Sequence, residues 1–242
     1  MKDEENSNKL NKIKINSFMW LINSPIGRKV MMAVTGFALI LFLTFHLCMN
    51  VVAFFSGEGY NMVCEFLGSN WYAVAGTAGL GALAVAHIVY AFILTAQNRR
   101  ARGNERYAVT SRRPEVSWAS QNMLVLGLIV FIGLALHLYN FWAHMMFAEL
   151  AHIEVAYSPA DGFAWIKDTF SNPVFSILYL IWMVAIWFHL SHGFWSSMQT
   201  FGWSGKVWLK RWQCIGLVYV TIMMAIFVFL VLAFWLGFAP SL

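Results

Sequence analysis

Five stretches of the chain, 30–57, 66–98, 116–148, 169–205 and 212–242, contain no Asp, Glu, Lys or Arg. Each exceeds the roughly 20 apolar residues that an α-helix needs to cross the hydrocarbon of a bilayer. Tilt, or helix ends that project beyond the hydrocarbon, accommodates the excess. The pattern predicts an all-α integral membrane protein, a single membrane domain over 1–242, with five transmembrane helices at about 30–56, 71–98, 117–148, 172–202 and 207–238. Prolines at 25, 114, 159, 173 and 240 stand at or near the ends of these segments, where a missing N–H costs least. The first segment is longer than the apolar region of a signal peptide and follows the polar run "MKDEENSNKLNKIKINSFMW", so it is expected to be retained.

Composition agrees with this picture: the 242 residues are 60% hydrophobic and 11% charged, with a mean hydropathy of +0.63. An ordinary soluble domain carries about 25% charged residues. The charges that remain are sorted by sign. Lys2, Lys9, Lys12, Lys14, Arg28 and Lys29 precede the first helix, Arg99, Arg100, Arg102, Arg106, Arg112 and Arg113 fill the second connection, and Lys206, Lys210 and Arg211 lie in the fourth. The other connections hold Glu58, Glu65, Glu149, Glu154, Asp161 and Asp168, with Lys167 as the one cation. By the positive-inside rule the N-terminal segment 1–29 and the second and fourth connections are cytoplasmic, and the C-terminus lies outside. The net charge of +5 thus follows from topology and gives no reason to expect nucleic-acid binding. A basic inner face is also suited to an acidic partner.

Cys48, Cys64 and Cys214 form no CxxC or CxxCH, so covalent haem attachment and iron–sulfur ligation by this chain are not expected. Phosphate loops, nucleophile elbows and HExxH are absent too.

The remaining chemistry lies in histidine. His46, His87, His137, His144, His189 and His192 fall inside the apolar segments, whereas His152 falls in an external connection. Ionisable groups inside a membrane are expensive and are functional candidates by default. At 1.5 Å per residue, His46 and His137 lie roughly 16 to 18 Å from the outer ends of the first and third helices. His87 and His189 lie roughly 18 to 20 Å from the inner ends of the second and fourth. One histidine from each of four helices, paired at two depths, suits two stacked b-type haems, each held by an imidazole on either side. Histidines that hydrogen-bond between helices explain the same residues, and spacing alone leaves both readings open. It also leaves His189 and His192 unseparated, since three residues turn a helix through about 300°. His144, seven residues after His137, is expected on nearly the same face, about 10 Å further out.

The segments around these histidines are "TGFALILFLTFH" ending at His46, "AVAHIVYAFILTAQNRR" around His87, "SWASQNM" leading to "LALHLYNFW" around His137, and "HLSHGFWSSMQTFGW" from His189. In this order, followed by a fifth helix without a ligand, the chain resembles the cytochrome b subunit of the succinate dehydrogenase and fumarate reductase family, in its single-subunit, five-helix, two-haem form. The resemblance spans about 24–203. It implies a five-helix bundle around two haems b, with His46 and His137 on the outer iron and His87 and His189 on the inner one. In that family the fourth ligand precedes a Gly and a bulky pair by four residues, a frame that fits His189 with Gly193, Phe194 and Trp195, followed by Gly202 and Trp203. His192 then becomes a haem-propionate or quinone contact. Arg28, Lys29, Trp118 and Ser120 are implied propionate contacts near the inner helix ends. Glu58 and Glu65 are either proton-exchanging acids at an outer quinone site or solvated loop carboxylates.

The implied function is a membrane anchor passing electrons between an iron–sulfur subunit on the cytoplasmic face and menaquinone or ubiquinone in the bilayer. A separate FAD-containing flavoprotein subunit interconverts succinate and fumarate. The setting would be the cytoplasmic membrane of a prokaryote, with pairing of complexes as a possible assembly. Some fumarate-reducing relatives carry a glutamate two residues before the fourth ligand; Trp187 stands here, which argues against a proton route of that kind. The alternatives are a cytochrome b anchor of a hydrogenase or formate dehydrogenase, and a transporter or structural membrane protein without haem.

Overall fold

A computed structural model describes residues 23–68, 70–102 and 118–239. The N-terminal run and most of the basic second connection lie outside the described residues, with Lys2, Lys9, Lys12, Lys14, Arg106, Arg112 and Arg113. Among the described residues all regular structure is helical, and five helices are long and apolar enough to cross a membrane.

The first span is α1 (Pro25–Val51), prolonged by a 3-10 turn at Val52–Phe54. It starts five residues earlier than expected because Pro25 occupies its first turn and the Ser24 hydroxyl accepts from Gly27 N at 2.8 Å. Arg28 and Lys29, read as the end of a polar segment, therefore belong to the helix. After the short α2 (Gly57–Phe66), the second span α3 (Trp71–Arg102) continues past the expected end at 98 and carries Arg99 and Arg100. The third span comprises α4 (Trp118–Gln121), α5 (Met123–His137), a π-helical segment at Leu138–Phe147 and α6 (Ala148–Ala151). The short α7 (Gly162–Ser171) leads into α8 (Pro173–Thr200), and α9 (Lys206–Trp235) is the fifth span.

Helix α8 opens like α1, with Pro173 in its first turn and the Asn172 side chain accepting from Val174 N at 2.9 Å. It closes at Gly202, whose φ of +82° lets Trp203 N donate to Met198 O at 3.0 Å, a left-handed cap that ends the helix. His152 holds the equivalent position after α6 at φ +53°, with Ile153 N donating to Ala148 O at 2.9 Å. That accounts for an external histidine in structural terms.

The bundle is centred on α8, which packs against α1, α5 and α9; α1 in turn carries α3 on its other side. The densest core lies at one end of the bundle, where Phe163, Ile166 and Phe170 of α7 seal against Tyr179 and Met183 of α8 and Val231 and Phe234 of α9. Helices α2 and α7 were not expected from the sequence. They lock together because Asn61 donates to Asp161 Oδ1 at 2.8 Å while its own carbonyl oxygen accepts from Phe163 N at 2.9 Å. The Cys64 sulfur rests where a Cβ on Gly162 would lie, and burial raises its thiol pKa to about 11, so it stays protonated. Elsewhere Leu41, Val85, Ile132, Ile181, Ile222 and Phe229 are exposed, a belt that lipid covers.

Candidate functional site

The helix order places one histidine from each of four spans opposite a partner. His46 of α1 and His137 of α5 have ring centroids 5.7 Å apart with ring planes at 90°. His87 of α3 and His189 of α8 are 6.4 Å apart at 71°. Neither α1 with α5 nor α3 with α8 is a closely packed backbone pair, so the imidazoles bridge gaps between helices.

Two glycines fix the relative heights. Gly36 of α1 lies against His87: a Cβ there would stand 2.9 Å from His87 Cε1. Gly127 of α5 faces His189, its notional Cβ 3.7 Å from His189 Cε1. Gly36 precedes His46, and Gly127 precedes His137, by ten residues each. Ten residues of helix amount to about 15 Å, so α1 and α5 independently give the same separation between the two histidine levels. The equal spacing, Gly followed ten residues later by His in both helices, is visible in the sequence, although a helical Gly alone does not mark a close approach, since Gly76, Gly79, Gly81 and Gly193 have nothing within 4 Å of a notional Cβ.

Aromatic rings enclose the His46–His137 pair. His137 lies among Phe141, Tyr179 and Trp182 at 5.2 to 6.1 Å, and His46 stacks with Phe42 at 5.7 Å. Gly133 makes room for Trp182, whose indole N–H donates to Val130 O at 3.0 Å. The backbone beneath His46 is braced: Asn50 donates to the His46 carbonyl at 2.8 Å, and the Tyr60 hydroxyl of α2 donates to Asn50 Oδ1 at 3.1 Å. The short connecting helix α2 thus anchors the turn that carries His46.

At the His87–His189 pair, Thr35 is 2% exposed and its Oγ1 lies 3.2 Å from His87 Nδ1. The Nδ1 atoms of His137, His189 and His192 are buried without a hydrogen-bond partner. Buried polar atoms are ordinarily satisfied, and each exception costs about 1–3 kcal/mol. Two of these three rings belong to the facing pairs.

The histidines that sequence left unseparated now differ. His189 faces His87, whereas the His192 ring lies 4.8 Å from that of Trp195. His144 departs from expectation: the π-helical winding after His137, with its wider hydrogen-bonded turn, rotates His144 off the His137 face. Its Nδ1 meets Tyr139 O at 2.7 Å and its ring stacks on Trp165 of α7 at 5.1 Å. The same segment holds buried Asn140, which donates to the Tyr179 hydroxyl at 3.4 Å beside His137.

The other candidates are spread more widely. The Trp118 ring, on α4, lies 5.1 Å from that of Phe188, next in sequence to His189, which brings α4 to the inner level. Arg28 and Ser120 are half-buried and Lys29 is exposed. Glu58 and Glu65 are both exposed on α2, with Glu58 in its first turn, where the helix dipole favours an acid. Neither hydrogen-bonds to a histidine pair. Where α8 passes into α9, Gly202, Trp203, Gly205, Trp208 and Trp212 line an open cleft of about 350 Å³.

Two imidazoles on opposite sides of one metal atom, each bonded at about 2 Å, would hold their ring centroids about 6 Å apart. Both pairs fit that span. Among the described residues no group of three or more His, Cys, Asp or Glu side chains could hold a metal ion. A pair of histidines suits a metal that brings its other ligands with it, and haem is such a group. No protein-family model, curated protein or solved structure matches the chain.

Proposed function

We propose that this chain is the two-haem cytochrome b anchor of a succinate dehydrogenase or fumarate reductase in the cytoplasmic membrane of a prokaryote. His46 and His137 would hold an outer haem, and His87 and His189 an inner one. The observation that carries the reading is the pairing itself: four imidazoles from four spans, in ring pairs at 5.7 and 6.4 Å, on levels about 15 Å apart. The four sequence segments that resemble the family are the segments that supply these rings.

Haem, when bound, carries one electron at a time between ferric and ferrous iron. The chain supplies the environment for that. Its paired imidazoles, His46 with His137 and His87 with His189, would hold the two haem irons, which suits electron transfer rather than oxygen binding. Phe141, Tyr179 and Trp182 keep water from the outer pair, and Gly36 admits His87 close to α1. Two levels divide the membrane's thickness into steps, so electrons could move between an iron–sulfur partner inside and a quinone in the bilayer. Positive residues at the inner helix ends, Arg99, Arg100, Lys206, Lys210 and Arg211 among them, favour an acidic partner surface there. The flavoprotein subunit would carry the dicarboxylate chemistry. His192, Arg28, Lys29, Trp118 and Ser120 remain the proposed propionate or quinone contacts.

Purification of the tagged chain from its own membranes tests the assignment. The expected eluate contains FAD and iron–sulfur clusters, and added succinate bleaches its ferric haem spectrum toward the ferrous form. A partner containing nickel or molybdenum would assign the anchor to a hydrogenase or formate dehydrogenase, and elution without any redox partner would remove the respiratory reading.

A further inference from the structure

Resting on the haem assignment above, we propose that Thr35 is a positioning residue for His87, holding its Nδ1 protonated so that Nε2 faces iron, and that it lowers the inner haem's potential.

The protons determine the direction of the contact. The Thr35 hydroxyl has one proton, and its Oγ1 lies 2.8 Å from Met31 O and 3.2 Å from Met32 O, acceptors in the preceding turn of α1. With that proton committed to a backbone carbonyl, Oγ1 meets His87 Nδ1 at 3.2 Å as an acceptor, and the imidazole is the donor. Thr35 is buried, which keeps water from substituting for it.

Neither His137 nor His189 has such a tie. His137 and His189 have buried Nδ1 atoms with no partner, so His87 is set apart from its own pair-mate. An acceptor on the distal nitrogen fixes a ligand's tautomer and orientation and makes it more basic. A more basic axial imidazole stabilises ferric iron over ferrous, which moves the potential down. Gly36 adds a steric condition, because a Cβ there would stand 2.9 Å from His87 Cε1 and 3.3 Å from its Nδ1 and crowd the ring that meets Thr35.

Potentiometric titration of the haem spectrum in the intact complex tests this with Thr35→Val, Thr35→Ala and Thr35→Ser. Thr35→Val and Thr35→Ala are expected to shift one of the two midpoints to more positive potential and leave the other in place. Thr35→Ser, which keeps the hydroxyl, is expected to titrate like the parent. Two haems with unmoved midpoints in Thr35→Val and Thr35→Ala would overturn the role of Thr35 and leave the haem assignment standing. A serine variant shifted as far as the alanine variant would also overturn it, since the hydroxyl would then be irrelevant. A parent complex without haem would overturn both readings.

Discussion

Alanine at His46, His87, His137 or His189 is expected to remove one of the two haems and spare the other, halving haem per chain. Alanine at His144 or His152 is expected to leave both. The basis is that each of the four rings faces one partner across a gap between helices, while His144 stacks on Trp165 and His152 caps α6 in a left-handed conformation. Succinate–quinone electron transfer should fall by more than roughly tenfold in the four ligand variants, because even outer partners of metal ligands cost that much. Haem content by pyridine haemochromogen reads the outcome directly. Two haems retained after any one of the four substitutions would remove that residue from the ligand set.

The second large effect is expected at a residue that carries no ligand atom. A methyl group at Gly36 would stand 2.9 Å from His87 Cε1, too close for the ring to keep its place, and the ring cannot swing away without leaving Thr35. Gly36→Ala is therefore expected to deplete the inner haem, with an overpacking cost of about 1–3 kcal/mol. Gly127→Ala is the matched comparison, since a methyl group there would sit 3.7 Å from His189, an ordinary contact. It should retain both haems. Equal haem loss from both variants would show that helix packing in general, rather than room for His87, governs occupancy.

These expectations draw on features of unequal visibility in the sequence. Charge-free runs marked the five spans because desolvating a charge in hydrocarbon is costly, a constraint that composition records directly. It does not record where a helix starts. Ser24 and Pro25 begin α1 before Arg28 and Lys29, so the charges mark the edge of the hydrocarbon and the cap marks the edge of the helix. The short helices α2 and α7 were missed although Ser56 and Asp161 are ordinary capping residues, each accepting from an N–H three residues on. Attention to apolar length passed over helices of ten residues.

The histidine levels were legible because a helix has a fixed rise, and both ring pairs join residues assigned to the same depth. The face of His144 was not, since π-helical winding leaves no compositional trace and changes the phase of everything after it. Thr35 was likewise hidden. A hydroxyl in an apolar helix usually bonds its own preceding turn, as this one does, and only the approach of α3 shows its second contact.

The most direct measurement is the dithionite-reduced minus oxidised visible spectrum of the purified chain, with pyridine haemochromogen quantification per polypeptide. Two low-spin haems b per chain is the result the paired histidines predict. A well-folded, colourless chain would contradict it and return His46, His87, His137 and His189 to the packing of helices.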